Sequence, residues 1–396
     1  MDQGNTAFVL ISAALVLLMT PALAFFYGGL VKAKSVVSMM MLSFGSLALI
    51  GVLWVIYGYA IAFANAGTDT FYGIDGVIGI DTSYIGLEGL LTTPEGAAFP
   101  PLAFAAFQAT FAIITVALIS GSIADRAKFG AWLVFAGIWA TVVYFPVASW
   151  VFNFTIVDGK IVDGGWIAYN LGAIDFAGGT AVHINAGAAA LALALVLGKR
   201  IGFAKGVAKP HNVPLVLLGA GLLWFGWFGF NAGSELAADG IASLAFINTI
   251  AAPAAAVLGW LLIERIKEGK ATSVGAASGA VAGLVAITPA CANLTPMWAI
   301  VLGLVAGAVC ALAIELKFTF GFDDSLDVVG IHLVGGLIGT LFLGFFATDV
   351  GLIFSGSFEQ LGKQAIAAFT VLIFSFVLSY IIGTIIEKTM GFRIKN

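Results

Sequence analysis

Eleven apolar runs, each long enough to cross a lipid bilayer, alternate with polar connections along this chain of 396 residues. A membrane-crossing helix needs about 20 mostly apolar residues. Lipid offers no hydrogen bonds to the backbone, so runs of this kind predict helices. The runs cover 6–31, 36–64, 98–122, 129–152, 175–198, 213–233, 241–263, 271–289, 296–316, 328–347 and 364–387. The sequence therefore predicts an all-α polytopic membrane protein with eleven transmembrane helices.

Composition excludes most soluble alternatives. The chain is 61% hydrophobic and only 10% charged, whereas soluble domains carry roughly 25% charged residues. Cys291 and Cys310 lie in apolar runs without metal-ligand or redox spacing, so they are interpreted as packing residues. The sequence holds no nucleophile–base pair, phosphate loop or metal cluster. We therefore expect no enzyme activity, metal, cofactor or nucleic-acid partner.

The distribution of basic residues predicts the orientation in the membrane. With the N-terminus outside, every Lys and Arg except Lys160 and Lys363 falls in a connection or tail on the inner side. Positive charge is concentrated on the inner side of membrane proteins. The longest connection, 65–97, would lie outside, and it contains acidic residues but no Lys or Arg. We expect N-terminus out, C-terminus in, and a location in the cell (inner) membrane.

Two histidines in apolar runs mark an internal repeat. His183 follows Asp175 by 8 residues, and His332 follows Asp324 by the same 8 residues. An ionisable side chain inside a membrane is costly and usually faces a polar path or a partner. We expect one domain, 1–396, with inverted five-helix repeats at about 6–198 and 213–347 and an extra helix at about 364–387. A pseudo-two-fold axis in the membrane plane would bring the histidines together at its centre.

The two aspartates have two interpretations, which the sequence leaves open. A carboxylate at the start of a helix caps free backbone N–H groups. Alternatively, Asp175 acts on the substrate path. In either case we expect Asp175→Ala to disturb recognition or folding more than Asp158→Ala, because Asp158 lies in a turn signal, VDGK.

A path that holds two imidazoles between apolar walls suits a small neutral molecule. Moving a bare ion into such a medium is prohibitively costly. Neutral imidazoles both donate and accept hydrogen bonds, so the pair could relay a proton or hold an ammonia molecule. The alternatives are a helix–helix hydrogen bond and ligation of haem b, which would need a wide cavity.

Four motifs carry a specific resemblance. FQATFAIITVALISGSIADR, DFAGGTAVHINAG, WFGWFGFNAGS and DDSLDVVGIH resemble the ammonium transporter (Amt/Mep/Rh) family, and the similarity runs over essentially the whole chain. The resemblance implies a homotrimer in the lipid bilayer, with ammonium or ammonia as substrate and one pore in each subunit.

The resemblance also assigns candidate residues. It implies an outer ammonium-recruitment region, an aromatic gate below it, and twin histidines in the pore. The recruitment residues are Phe107, Trp227 and Ser234, with Asp175 nearby in a structural and electrostatic role; the gate is Phe111 and Phe230; the twin histidines are His183 and His332.

Several positions depart from the family pattern. Phe152 stands where the family usually has Trp, and Trp150 is about 200° away around a helix. We include Phe152 in the recruitment region, together with Glu235, which adds a carboxylate after Ser234. Leu333 replaces a Gly, and Asp239 stands where Asn is common. The family's usual cytoplasmic tail does not follow GFRIKN.

These departures keep a second function open. In it the chain is an ammonium sensor with little transport, truncated before a cytoplasmic regulatory or signalling domain such as a histidine kinase. Transport through a twin-histidine hydrophobic pore is the first expectation.

Overall fold

The computed structural model describes residues 1–157, 159–203 and 209–394, so Asp158, Lys205 and Lys395 lie outside the described residues. Over these residues the chain is mostly helical. The helices are α1 Gln3–Leu30, α2 Val36–Leu53, α3 Tyr59–Ala62, α4 Pro101–Ile119, α5 Phe129–Trp139, α6 Phe145–Phe152, α7 Asn185–Leu197, α8 Val213–Asn231, α9 Gly240–Glu268, α10 Ser273–Ile287, α11 Pro296–Ala313, α12 Leu316–Phe320, α13 Val334–Phe346, α14 Leu352–Ser355 and α15 Glu359–Thr389.

Short 3-10 and π turns join several of these helices into longer rods. Ten of the resulting rods are long and apolar enough to cross a membrane, and α10 is a shorter apolar helix of 15 residues. The predicted run 129–152 corresponds to one such rod, Phe129–Phe152, and the run 213–233 to Val213–Glu235. The chain is therefore a multi-pass helical membrane protein.

Two β-hairpins lie on one face of the helical bundle, which we call the hairpin face. Strands β1 Phe71–Ile74 and β2 Ile78–Asp81 pair in the connection before α4. Strands β3 Phe154–Val157 and β4 Lys160–Gly164 pair after α6. Trp150 Nε1 donates to the Val77 carbonyl at 2.5 Å, which ties the tip of the first hairpin to α6.

The buried carboxylate of Asp81 organises the first of these connections. Its oxygens accept hydrogen bonds from the hydroxyls of Thr68, Thr70 and Ser83 at 2.7–3.1 Å. Burial opposes ionisation, but these hydrogen bonds outweigh it and hold the pKa of Asp81 below its ordinary value of 3.8. The connection is therefore an ordered cap on the bundle.

Helices α1 and α8 pack closely along their length because α8 carries a stripe of glycines. A methyl group added at Gly229 would lie 2.7 Å from the Ser12 carbonyl oxygen, and one at Gly226 would lie 2.7 Å from that of Leu15. Small residues let helix backbones approach in this way. The contact joins the first helix of one predicted repeat to the first helix of the other.

On the face opposite the hairpins, an ion-pair cluster joins distant connections. The buried Asp323 carboxylate pairs with Arg200 at 2.8 Å and with Arg126 at 3.5 Å. Burial opposes ionisation of Asp323, but the hydrogen bonds from Arg200 and the charge of Arg126 hold its pKa below 3.8. The cluster fixes the chain just before Asp324.

Candidate functional site

Each of the two membrane histidines lies in a π-helical turn at the start of a helix. His183 belongs to the turn Gly179–Ile184, which leads into α7. His332 belongs to the turn Val329–Leu333, which leads into α13. π turns are rare and often occur at functional sites. Each turn contains its histidine and leads into an α-helix, so the two histidines occupy equivalent positions, as the repeated Asp–His spacing predicts.

Both aspartates cap these turns. Asp175 Oδ1 accepts from the backbone N–H of Gly178 at 2.9 Å and of Gly179 at 2.5 Å. Its Oδ2 accepts from the N–H of Thr180 at 2.8 Å and of Ala181 at 3.2 Å, and also from the Thr180 hydroxyl.

The cap in the other half is smaller. Asp324 accepts from the N–H of Val328 at 3.1 Å and of Val329 at 2.7 Å. The two acceptor patterns support the capping interpretation of both aspartates, because each carboxylate completes the open end of a buried helix.

The histidine rings touch. His183 Nδ1 lies 3.1 Å from His332 Nδ1, with the rings nearly parallel and both side chains buried. Only one of the two Nδ1 atoms can carry the shared proton, so the rings are complementary tautomers. This is the contact that their repeat-equivalent positions predict. His183 Nε2 is buried and has no hydrogen-bond partner among the described residues, so it is free to meet a substrate.

A small apolar cavity surrounds the pair. Its volume is about 10 Å³, which is room for about one water-sized molecule. Among the described residues, the wall includes no charged side chain, and its polar groups are the two imidazoles and one indole. Besides the two histidines, the wall residues are Met19, Leu23, Phe26, Ile114, Leu118, Val182, Leu223, Trp227, Phe230 and Val281. A porphyrin does not fit there, so the haem alternative fails.

Two stacked phenylalanines close the path on the side of the hairpin face. The rings of Phe111 and Phe230 lie 4.2 Å apart between centroids, at an interplanar angle of 28°. Both side chains are buried. The stack comes from α4 and α8, one helix from each half of the chain. The predicted pair of gate residues therefore forms a constriction directly above the histidine cavity.

Trp227 lies inside the path, one helical turn deeper than Phe230. Its ring stacks on His183 with centroids 5.5 Å apart and 15° between planes. Its indole Nε1 donates to Thr288 Oγ1 at 2.9 Å. The structure thus places Trp227 in the wall of the histidine cavity, away from the outer recruitment region that the resemblance implies for it.

The remaining recruitment residues lie around the gate. The Phe107 ring is 4.9 Å from that of Phe111, and the Phe152 ring is 6.2 Å from it. Ser234 Oγ donates to the Phe230 carbonyl at 2.7 Å and keeps lone pairs free to accept. Glu235, half-buried, lies beside Asp239, the residue that caps α9. The mouth of the path therefore combines aromatic faces, a hydroxyl and an acidic pair.

Other aromatic residues near these motifs contact the first hairpin or join α8 to α9, and they do not line the path. Trp150 binds the first hairpin, as described above, and so does not replace the missing indole at Phe152. Trp224 Nε1 donates to the Thr249 carbonyl at 2.9 Å, and Phe228 stacks on Phe246 at 4.1 Å. These rings hold α8 against α9. Leu333 packs against the backbone at Gly187, where an added methyl group would lie 2.6 Å from its Cβ.

Sequence reasoning missed Thr288, which orients Trp227. The residue lies in an apolar run without a motif, so nothing local marks it as part of the path. One available signal was the spacing of Trp227 and Phe230, because residues three apart share a helix face and Trp227 must therefore lie on the same side of α8 as the gate residue. A buried indole N–H there needs an acceptor, which Thr288 supplies.

Comparisons with known proteins agree with this site. The model of the Ammonium Transporter Family matches residues 7–396. An "Ammonium transporter" of Mycobacterium bovis is 54% identical over 415 residues, covering 99% of this chain and 86% of the relative. The crystal structure of Saccharomyces cerevisiae Mep2 superposes with a TM-score of 0.89 at 34% identity, covering 100% of this chain and 91% of that one.

A solved structure titled "Sensor Amt Protein" also superposes with a TM-score of 0.89, at 28% identity, covering 99% of this chain and 95% of that one. The sensor alternative is not favoured, because the similarity to the relative named as a transporter is much higher. The family is one of transporters and not of enzymes. With its family model matched from near the first residue to the last, and with its paired histidines below an aromatic constriction, the chain belongs to the ammonium transporter family.

Proposed function

We propose that this protein transports ammonium across the membrane through a hydrophobic pore between its two halves. The pore runs past the Phe111–Phe230 stack to the pair His183 and His332. The observation that carries the proposal is the direct contact of two buried imidazoles in a cavity that is otherwise apolar and admits about one small molecule.

The geometry favours passage of ammonia over passage of a hydrated ammonium ion. Ammonia is similar in size to water, for which the cavity has room. An ammonium ion would lose its water shell to walls that offer no charge in return, and that cost is prohibitive. The ion therefore transfers a proton to water at the mouth, NH4+ and H2O giving NH3 and H3O+, before the nitrogen enters the cavity.

The complementary tautomers define the chemistry that the histidines offer. One imidazole presents a free acceptor nitrogen, and the other presents an N–H donor. Ammonia both accepts and donates hydrogen bonds, so it can be held by this pair in either order. The same pair can pass a proton along the pore by exchanging tautomers.

The recruitment of the ion belongs to the mouth above the gate. In this proposal the faces of Phe107 and Phe152 attract the cation and Ser234 accepts a hydrogen bond from it. Glu235 and Asp239 form an acidic pair whose negative charge raises the local concentration of cations. Asp175 acts from behind the path by holding the π turn of His183, and Trp227 acts below the gate.

The proposed arrangement in the membrane has eleven crossing helices, N-terminus out and C-terminus in, with the hairpin face outside. The short α10 crosses together with the turn that follows it. The repeats are 6–198 and 213–347. Each pore forms within one subunit of a homotrimer in the cell membrane. The positions of the basic residues support the orientation, the packing of α1 on α8 supports the pairing of the two halves, and the family resemblance supports the homotrimer. Transport by this route requires no signalling domain.

The test uses purified protein reconstituted into proteoliposomes on a solid-supported membrane. A saturable current after an ammonium jump is expected if the proton follows the ammonia. A rise in internal pH without current is expected if ammonia passes alone. Absence of both would refute transport.

The chain supplies a matched set of variants because it has only 3 histidines. His183→Ala and His332→Ala should change the flux, whereas His211→Ala should not. His211 binds the Val31 carbonyl at 2.9 Å outside the pore. Flux that is identical in all three variants would show that the paired imidazoles do not carry the function.

A further inference from the structure

A second, larger cavity lies on the hairpin face beside the gate. Its volume is about 250 Å³. The two hairpins form one part of its wall, and the ends of α3, α4 and α6 form the rest. We call it the hairpin chamber. It has one wall residue near the pore, Phe152, whose ring is 6.2 Å from the gate ring of Phe111.

Aromatic rings provide one side of the hairpin chamber. Tyr59, Phe63 and Phe104 pack edge to face or at a tilt, with centroids 4.9–6.5 Å apart. Tyr84 packs edge-on against Tyr59 at 5.6 Å. All four residues line the chamber. Aromatic faces attract small cations, and this attraction is strongest where water is partly excluded.

Two carboxylates also line the chamber. Asp75, at the turn of the first hairpin, and Asp163, on the second, both line the chamber and are exposed. Among the described residues that line it, none is Lys or Arg. All the formal charge that the described wall residues carry is therefore negative. A concave site with charge of one sign concentrates counter-ions.

Ser149 adds a polar group to the wall. The residue is only 7% exposed, lines the chamber, and lies one helical turn from Phe152 on α6. Its hydroxyl makes no hydrogen bond to any residue that the structure describes. A wall hydroxyl that is not used by the protein can accept from an N–H group bound in the chamber.

We propose that the hairpin chamber is a separate site for an ammonium ion, which binds there with part of its water shell. One water takes about 30 Å³ of liquid, so the volume suits an ion with several waters and no full dehydration is needed. The proposal rests on the proposed transport function, for which the chamber would supply ions to the mouth through Phe152.

Direct binding is tested with caesium chloride soaked into crystals of the protein, because caesium is a monovalent cation with a strong anomalous signal. We expect an anomalous peak between the aromatic side and Ser149. The peak should disappear in the triple variant that carries Asp75→Asn, Asp163→Asn and Ser149→Ala. It should remain in the control variant Asp69→Asn. Asp69 is an exposed acid of the same connection that does not line the chamber. A chamber without a peak in the wild-type crystal would overturn the proposal.

The contribution to transport is tested by ammonium-jump currents. Asn at positions 75 and 163 keeps the size of the side chain, and the new amide oxygen can still accept the Gly164 N–H that Asp163 binds at 2.9 Å. At low salt the double variant should need about two- to fivefold more ammonium for half-maximal current, with the maximum unchanged. The difference should vanish at 1 M salt, where screening is effective within about 3 Å.

The control variant separates a site from surface charge. An equal shift in Asp69→Asn would overturn the proposal, because any outer carboxylate would then have the same effect. If the wild-type protein carries no ammonium flux at all, the transport function fails, and the caesium experiment still decides whether the chamber binds cations.

Discussion

Replacement of Asp175 by Ala should destabilise the protein through the loss of one specific cap. The wild-type carboxylate accepts four backbone N–H groups, two on each oxygen. A hydrogen bond of this kind contributes about 1 kcal/mol net. The expected loss is therefore about 4 kcal/mol for Asp175→Ala. Asp175→Asn keeps one oxygen and should lose about 2 kcal/mol.

The assay can use the two free cysteines, Cys291 and Cys310, which are fully buried. A thiol-reactive fluorophore reports their exposure as the protein in detergent is heated. With about 2 cal/mol/K of unfolding entropy per residue, the Ala variant should unfold about 5 °C lower and the Asn variant about 2 °C lower. Ammonium flux should fall in the same order, because the π turn that holds His183 loses its anchor.

Two controls bracket this result. Asp324→Ala removes only two accepted N–H groups and should lie between wild type and Asp175→Ala. Asp69→Ala, at an exposed position, should stay within about 0.5 kcal/mol of wild type. If Asp175→Ala and Asp69→Ala unfold at the same temperature, the capping argument is wrong. Asp158, the comparison that the sequence suggested, lies outside the described residues.

Three further predictions concern other parts of the path. Thr288→Val should lower the maximal ammonium flux with little change in half-saturation, because the Trp227 indole loses its acceptor; Thr288→Ser should restore the flux, and failure to do so would remove the positioning role. Phe230→Ala should open the gate to hydrated cations, measured as a potassium leak from proteoliposomes, whereas Phe228→Ala on the same helix should not. Asp323→Asn should destabilise the protein at pH 7, since the pKa of Asp323 is below its ordinary value. Its stabilising effect is present above about pH 4 and is lost as the pH falls through the lowered pKa, so wild type and variant should converge in unfolding temperature at acid pH.

The helices were the most predictable part of the structure, because apolar length is a direct consequence of bilayer thickness. The run 129–152 corresponds to a single rod. The histidine pair was predictable as well, since two rare and costly residues recurred after an aspartate at the same offset. The aromatic constriction needed the resemblance in addition, because Phe111 and Phe230 are two of 33 phenylalanines.

Other features had no readable signal. The π turns at Gly179–Ile184 and Val329–Leu333 differ from α-helix by one residue in hydrogen-bond spacing, which an apolar pattern does not resolve. The resemblance placed Trp227 at the mouth together with Ser234, whereas the helix carries Trp227 inward from Ser234 by about 1.5 Å for each residue. The hairpins depend on contacts such as Trp150 with Val77, which are 73 residues apart in the chain.

The glycine stripe that seats α8 against α1 has a consequence for how fast the pore can work. Rocking of one half against the other would have to separate the backbones of α1 and α8, which meet at the glycines of α8 without side chains between them. It would also expose this contact to lipid. A carrier that rocks moves on the microsecond-to-millisecond scale, whereas rotation of an aromatic side chain is orders of magnitude faster. Because its two halves are held together, the transport rate of this protein is limited by the small rotations of the gate side chains. Its turnover should therefore depend weakly on bilayer thickness and viscosity, as in a fixed pore.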